Sequence, residues 1–335
     1  MLIDYHVHLE EGPYSFNWLE RTSKALMHFH RDGKPEKGTR ARIEHQLNEL
    51  NNRLNKGCFS EEWLDLYLKQ AKHIGLKEVG IVDHLYRFKE TKSYFEQAMI
   101  LKPSDPLGEL QSYWLNSVMT EEMGDFVQAI SDGKKRWEKQ GVSLKLGIEA
   151  DYFAGQEKEL EELLDGQPWD YVIGSIHFVK GWGVDNPQTA DRFEQNDLKD
   201  LYTQFYESVE KMIRSKLFDF VAHLDNLKVF NYKVDDLSFN QMWYERIAGA
   251  LKETNTATEI NAGLFYRYPV KEMCPSEDFL QAIVNKGVPV TLSSDAHFPD
   301  DLGKYAAENK EALKQLGVKK LATFDQRKRI LVDIE

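Results

Sequence analysis

The sequence predicts an α/β fold in which parallel strands alternate with helices and close into a barrel. Three observations carry this expectation. Seven short apolar runs recur along the 335 residues, with the length and β-branching of buried strands. Helix-like stretches lie between them, and strand alternating with helix is the pattern of parallel βα units. Histidines, carboxylates and other polar residues follow the runs, and in a βα barrel the residues past the strand ends converge on one face.

The first run, 2–5, leads into His6-Val-His8. Side chains alternate along an extended chain, so these two imidazoles face the same side. Residues 19–56 are charged and helix-prone, with loop signals at 32–35 (Asp-Gly-Lys-Pro). A helix is predicted over 60–75, with Ser60 as N-cap, Glu61 and Glu62 in the first turn and Gly75 as the stop. The second run, 78–82, ends in Asp83-His84. Residues 87–143 are mostly helical, broken at 102–106 (Lys-Pro-Ser-Asp-Pro). The third run, 144–148, leads to Glu149 and Asp151, and the fourth, 171–176, to His177. The fifth, 218–222, leads to His223 and Asp225, and the sixth, 257–260, to Asn261. A helix over 276–287 repeats the grammar, with Ser276 as cap and Gly287 as stop. The seventh run, 288–292, leads to Asp295-Ala-His297. Residues 19–56 and 87–143 each follow a strand end. They are expected to be helical insertions capping one barrel face within a single domain of 1–335.

Charge and cysteine content narrow the function classes. Lys plus Arg is 43 and Asp plus Glu is 55, a formal net charge of −12, which argues against nonspecific nucleic-acid binding. Cys58 and Cys274 cannot make a disulfide framework, so a reducing, cytoplasmic setting is expected. The N-terminal segment has neither the basic nor the apolar region of a signal peptide. No apolar run approaches the roughly 18 residues of a membrane span.

Six of the ten histidines fall at strand ends: His6, His8, His84, His177, His223 and His297. One such histidine is ordinarily structural, whereas six at corresponding positions point to a site. With Glu149 and Asp295 they offer imidazole and carboxylate without thiolate, a donor set suited to zinc, manganese or iron. They are too many for one tetrahedral ion, so two or three divalent ions are expected.

These residues resemble the PHP family, named for polymerase and histidinol phosphatase domains, and are closest to its histidinol-phosphatase branch. The resemblance runs from Met1 to about Gly303 outside the two insertions. It is carried by DYHVH, GIVDHLYRF, LGIEADYF, DYVIGSIHFVKGWGVDNP, FDFVAHLDNLKVF, EINAGLFYRYP and VPVTLSSDAHFP. It implies a distorted seven-stranded (β/α) barrel, TIM-barrel-like, with a metal cluster at its C-terminal face. By the same resemblance His6, His8, Glu149 and Asp295 hold one metal. Glu149 bridges to a second held by His177 and His223, and His84 and His297 hold a third. Many family members place another histidine shortly after HxH, and this chain has none. Glu11 is the substitute by analogy, or else Glu10 and Glu11 are solvated loop charges.

The function so implied is a metal-dependent phosphomonoesterase, with L-histidinol phosphate, an intermediate of histidine biosynthesis, as the leading substrate. Its products are L-histidinol and inorganic phosphate, formed by attack of a metal-activated hydroxide on phosphorus. Asp225 either orients His223 or protonates the leaving alcohol. Arg267 reads as a bidentate phosphate fork or as a surface arginine, with Lys228 the next phosphate candidate. Trp182 is a pocket wall or plain packing. Asn261 contacts substrate or water, or is a turn residue. Another phosphate ester, a phosphotyrosine peptide, amidohydrolase chemistry and a non-catalytic scaffold are the alternatives. The expected partners are a small phosphorylated substrate and phosphate, without nucleic acid or membrane. A homo-oligomer stays open.

Overall fold

A computed structural model describes residues 1–10, 12–29 and 35–334. Seven strands form one sheet in chain order: β1 Ile3–His8, β2 Glu78–Val82, β3 Ser143–Asp151, β4 Tyr171–Ser175, β5 Phe220–Val221, β6 Ala257–Asn261 and β7 Val290–Ser293. Every neighbouring pair is parallel. The chain just past β7 returns to β1. The Ala296 carbonyl accepts from His8 N at 2.7 Å, and Asp295 N donates to the His6 carbonyl at 2.9 Å. A parallel bridge of Val7 with Ala296 completes this seam. The sheet is therefore a nearly closed barrel, and its seam brings His6, His8, Asp295 and His297 together.

Aromatic side chains fill the end of the barrel where the strands begin. Tyr171 opens β4 and Phe220 opens β5, and their ring centroids lie 5.6 Å apart. Tyr5 lies 5.2 Å from Tyr171. Gly80 and Gly147 make room for Tyr171, since a Cβ at either position would fall 2.1 Å or 2.4 Å from that ring or its hydroxyl. The Tyr171 hydroxyl donates to the Tyr5 carbonyl at 2.8 Å. The plug is completed by Phe324, 5.2 Å from Phe220. It comes from a C-terminal antiparallel hairpin, β8 Lys320–Asp325 and β9 Lys328–Asp333, which the strand pattern had not indicated. One end of the barrel is thus apolar and filled, leaving the other for chemistry.

Between β1 and β2 lie α1 Phe16–Phe29, α2 Arg40–Lys56 and α3 Glu61–Ile74. Helix α3 is the crossover helix expected over 60–75, with Gly75 left-handed at its end (φ 80°). Between β2 and β3 lie α4 Lys92–Ala98, α5 Pro106–Val118 and α6 Met123–Glu138. The expected insertion 87–143 is too long. Helix α6 is a crossover helix in its own right, burying Phe126, Ile130 and Trp137. Its Gly133 lies against Leu64 of α3 and Leu144 of β3, so the inserted part ends near residue 122. The first insertion also divides. Helix α1 borders the barrel mouth, whereas α2 packs behind it. The loop signals at 32–34 lie outside the described residues.

The remaining helices are α7 Glu157–Leu164, α8 Leu198–Ser215, α9 Leu237–Thr254, the short α10 Gly263–Arg267, α11 Glu277–Asn285 and α12 Ala306–Gln315. Among the described residues no helix is long and apolar enough to cross a membrane.

Candidate active site

Strand β1 runs three residues beyond its apolar stretch, so His6 and His8 stand inside a strand and not past one. Their alternation aims both imidazoles at one centre, with their Nε2 atoms 3.1 Å apart. Glu149, buried near the end of β3, meets them there. Its Oε2 lies 2.8 Å from His84 Nδ1, 3.2 Å from His6 Nε2 and 3.4 Å from His8 Nε2. Its Oε1 lies 2.9 Å from His223 Nε2 and 3.5 Å from His177 Nε2. The carboxylate therefore divides its two oxygens between two sets of imidazoles. His8 Nε2 is 3.8 Å from Asp295 Oδ1. The rings of His84 and His297 stack on His8 at 4.2 and 4.3 Å.

Three sets of ligand atoms cluster within 4.8 Å: His6, His8 and Asp295; His84, Glu149 and His177; and His8, His84 and His297. His84 Nδ1 and Glu149 Oε2 are both buried. Although close, neither has a hydrogen-bond partner among the described residues. Buried polar atoms are seldom left so, and lone pairs converging on one centre are what a cation requires. The donor set of imidazole nitrogen and carboxylate oxygen fits divalent metal ions.

Burial and crowding shift the charges of this cluster. Burial would raise Glu149, but His84 and His6 beside it hold its carboxyl well below the usual range. Asp295 is held low against burial in the same way, by His6 and Arg267. His8 is driven well below the ordinary histidine value by burial and by neighbouring His84 and His297. Burial opposes charge on His177, yet Asp151 and Glu149 outweigh it and push the imidazole up to about 10.

A second tier of polar residues aims these groups. His6 Nδ1 meets Glu259 at 3.1 Å, and His177 Nδ1 meets Asp151 at 2.8 Å. A carboxylate behind an imidazole fixes its ring and raises its basicity. Asn261 donates to Glu259 at 2.8 Å and to Asp295 Oδ2 at 3.3 Å, and accepts from Gly263 N at 2.7 Å. A Cβ on Gly263 would lie 2.5 Å from Asp295 Oδ2. His223 and Asp295 both take positive φ, 24° and 55°, a costly conformation found where a site demands it.

The cluster floors a cavity of about 460 Å³ whose walls include Tyr86, Trp114, Phe178, Asp185, Arg267 and Tyr268. Arg267 stands beside Asp295, its Nη1 3.3 Å from the carbonyl and 3.5 Å from Oδ1. Helix α5 supplies Trp114, and Ser15, just before α1, also lines the cavity.

Several expectations are corrected. Asp225 does not line the cavity. Its Oδ2 is taken by Lys228 Nζ at 2.8 Å and Ser276 N at 2.9 Å, and His223 Nδ1 has no partner among the described residues. Asp225 therefore makes no hydrogen bond to His223 Nδ1 and lies outside the cavity lining. Lys228 is buried in that ion pair and does not line the cavity. Trp182 is packing, its indole donating to Thr189 Oγ1 at 2.9 Å. Glu10 is no solvated charge: it is buried, with Arg53 of α2 at 2.7 Å, and it accepts from the Trp18 indole. Glu11 lies outside the described residues. The sequence pattern gave no role to Glu259, Trp114 or Asp185, and it marked Asp151 only as a carboxylate past the third run. A carboxylate within an otherwise apolar strand, Glu259, was the available signal for the first.

The PHP domain family model matches residues 59–263, more than half of the chain. The chain is 37% identical over 188 residues to a Deinococcus radiodurans protein named "Probable histidinol-phosphatase", covering 56% of this chain and 70% of that one. It is 25% identical over 210 residues to the Bacillus subtilis histidinol-phosphatase, covering 55% and 73%. The fold resembles that of histidinol phosphate phosphatase from Lactococcus lactis, solved with zinc, L-histidinol and phosphate. That likeness has a TM-score of 0.63 at 18% identity and covers 98% of each chain.

Proposed function

The chain belongs to the PHP domain family, and from that premise we propose that it is a metal-dependent phosphomonoesterase acting on L-histidinol phosphate. One observation carries the reading most: Glu149 splits its oxygens between His6, His8 and His84 on one side and His177 and His223 on the other. That arrangement suits a carboxylate joining two cations. The relatives named histidinol-phosphatases support the substrate, and the zinc in the Lactococcus lactis structure supports zinc as the metal.

In this reading His6, His8, Glu149 and Asp295 hold one divalent ion, and Glu149, His177 and His223 a second. His84 and His297 with His8 would offer a third position. Bound there, such ions supply Lewis acidity, activating water and neutralising phosphate charge. The chain does the rest. Glu259 and Asp151 keep the imidazoles in register. Arg267 reaches over the floor from α10, where a planar fork can take two phosphate oxygens. Tyr86, Trp114 and Phe178 shield one wall from water and offer aromatic faces to the alcohol portion.

The test is phosphate release by zinc-, manganese- or iron-reconstituted protein across a panel of esters, L-histidinol phosphate and a phosphotyrosine peptide included. The expected result is the highest kcat/KM for L-histidinol phosphate. Hydrolysis of none of the panel would refute the reading.

A further inference from the structure

We propose that Asp185 selects the leaving group, pairing with an ammonium on the alcohol portion of the ester. The inference rests on the phosphatase reading and adds a specificity residue to it. Among the described residues three carboxylates line the cavity: Glu149, Asp185 and Asp295. Glu149 and Asp295 are turned to imidazoles of the metal-type clusters. Among the described residues Asp185 has no ion pair or hydrogen bond. A half-buried carboxylate that no hydrogen bond engages is open to a cationic ligand, its natural complement.

Its mount is rigid. A short antiparallel hairpin pairs Phe178–Val179 with Trp182–Gly183. Val184 N then donates to the carbonyl of His177 at 2.9 Å, so Asp185 emerges one residue after a tie to a metal-cluster histidine. Gln111 of α5 clamps the hairpin, accepting from Gly183 N at 2.7 Å and donating to the Gly181 carbonyl at 2.8 Å. Beyond Asp185, the Asn186 side chain accepts from Gln188 N at 2.9 Å. A charged group held this way is preorganised for a ligand.

The cavity is then polarised. Arg267 and the metal-ligand cluster meet the phosphate, and Asp185, lining the same cavity as His177 and Tyr86, meets a positive charge. Phosphate esters of amino alcohols fit this dipole, with the ammonium a short way along the chain from the ester oxygen. Esters of neutral alcohols gain nothing from Asp185. The helical insertion bearing α5 acts in specificity, because its Gln111 fixes the hairpin on which the carboxylate is mounted.

The experiment compares kcat/KM for L-histidinol phosphate and its deamino analogue, the same imidazolylpropyl phosphate without the amine. Metal-reconstituted wild type and Asp185→Asn are assayed on both. The expected result is a roughly ten- to hundredfold loss on the amine substrate, the scale of a charge-assisted contact, with the deamino analogue unchanged. Equal losses on both esters would make Asp185 a support for His177, and no loss on either would make it a bystander. Both results overturn the inference. Wild-type protein that hydrolyses neither ester would overturn the phosphatase reading itself, and this inference with it.

Discussion

Oε2 of Glu259 lies 3.1 Å from Nδ1 of His6, with both side chains buried. The same carboxylate accepts from His223 N at 3.1 Å and from Asn261 at 2.8 Å. Through these bonds one residue of β6 sets the ring of a β1 histidine and the backbone beneath a histidine past β5. Glu259 is thus an organiser of the metal-type cluster without belonging to it.

Glu259→Gln should keep the volume and lose the charge behind His6. We expect metal affinity to fall about ten- to a hundredfold, the usual cost of disturbing a carboxylate–histidine pair. Competition with a chromophoric chelator measures it. Unchanged affinity would mean that His6 needs no carboxylate behind it.

Arg267 lines the cavity from α10. Arg267→Ala should lower kcat/KM by roughly ten- to a hundredfold, from a charge-assisted contact of about 1.5–3 kcal/mol. Arg267→Lys should not restore it, because lysine lacks the planar fork. Metal content, read by elemental analysis, should stay the same. Full activity in the alanine variant would send the search for the phosphate clamp elsewhere. Lys228 is not the next candidate, being buried against Asp225.

Arg53 ties α2 to the barrel mouth through Glu10 at 2.7 Å, with both side chains almost wholly buried. Its guanidinium also lies 4.6 Å over the Trp63 ring. Arg53→Met removes the ion pair from a buried carboxylate, at a cost of up to about 3–5 kcal/mol. Urea unfolding of metal-stripped protein should show that loss, and adding Glu10→Gln should recover part of it. A loss below about 1 kcal/mol would mean that the Arg53–Glu10 pair does not hold α2 in place.

Much of this architecture was legible in the sequence, for physical reasons. Buried parallel strands are nearly pure apolar runs, so all seven stood out. Histidines at their ends share one face, so their convergence could be read from position along the chain, whereas their division into metal sets came only with the family resemblance. Strand limits were less legible: β1 continues through polar His6 and His8, which apolar patterning cannot register. Asp225 misled because sequence proximity to His223 says nothing of direction, and its carboxylate turns to Lys228 and Ser276. Glu259 and Asp185 were hidden because their roles arise from contacts between distant segments, β6 with β1 and the Phe178–Gly183 hairpin with α5. Helix α6 looked inserted because only packing against Leu64 and Leu144 distinguishes a crossover helix from an added one.

Glu149 faces both histidine sets, and we propose that it joins two metal ions in a phosphatase site. The most direct test of that bridge is the rate of phosphate release from L-histidinol phosphate by metal-reconstituted Glu149→Gln, set against wild type. A loss of at least about a hundredfold is expected, while His73→Gln, on α3 and outside the cluster, keeps the wild-type rate. A Glu149→Gln protein as active as wild type would contradict the bridge.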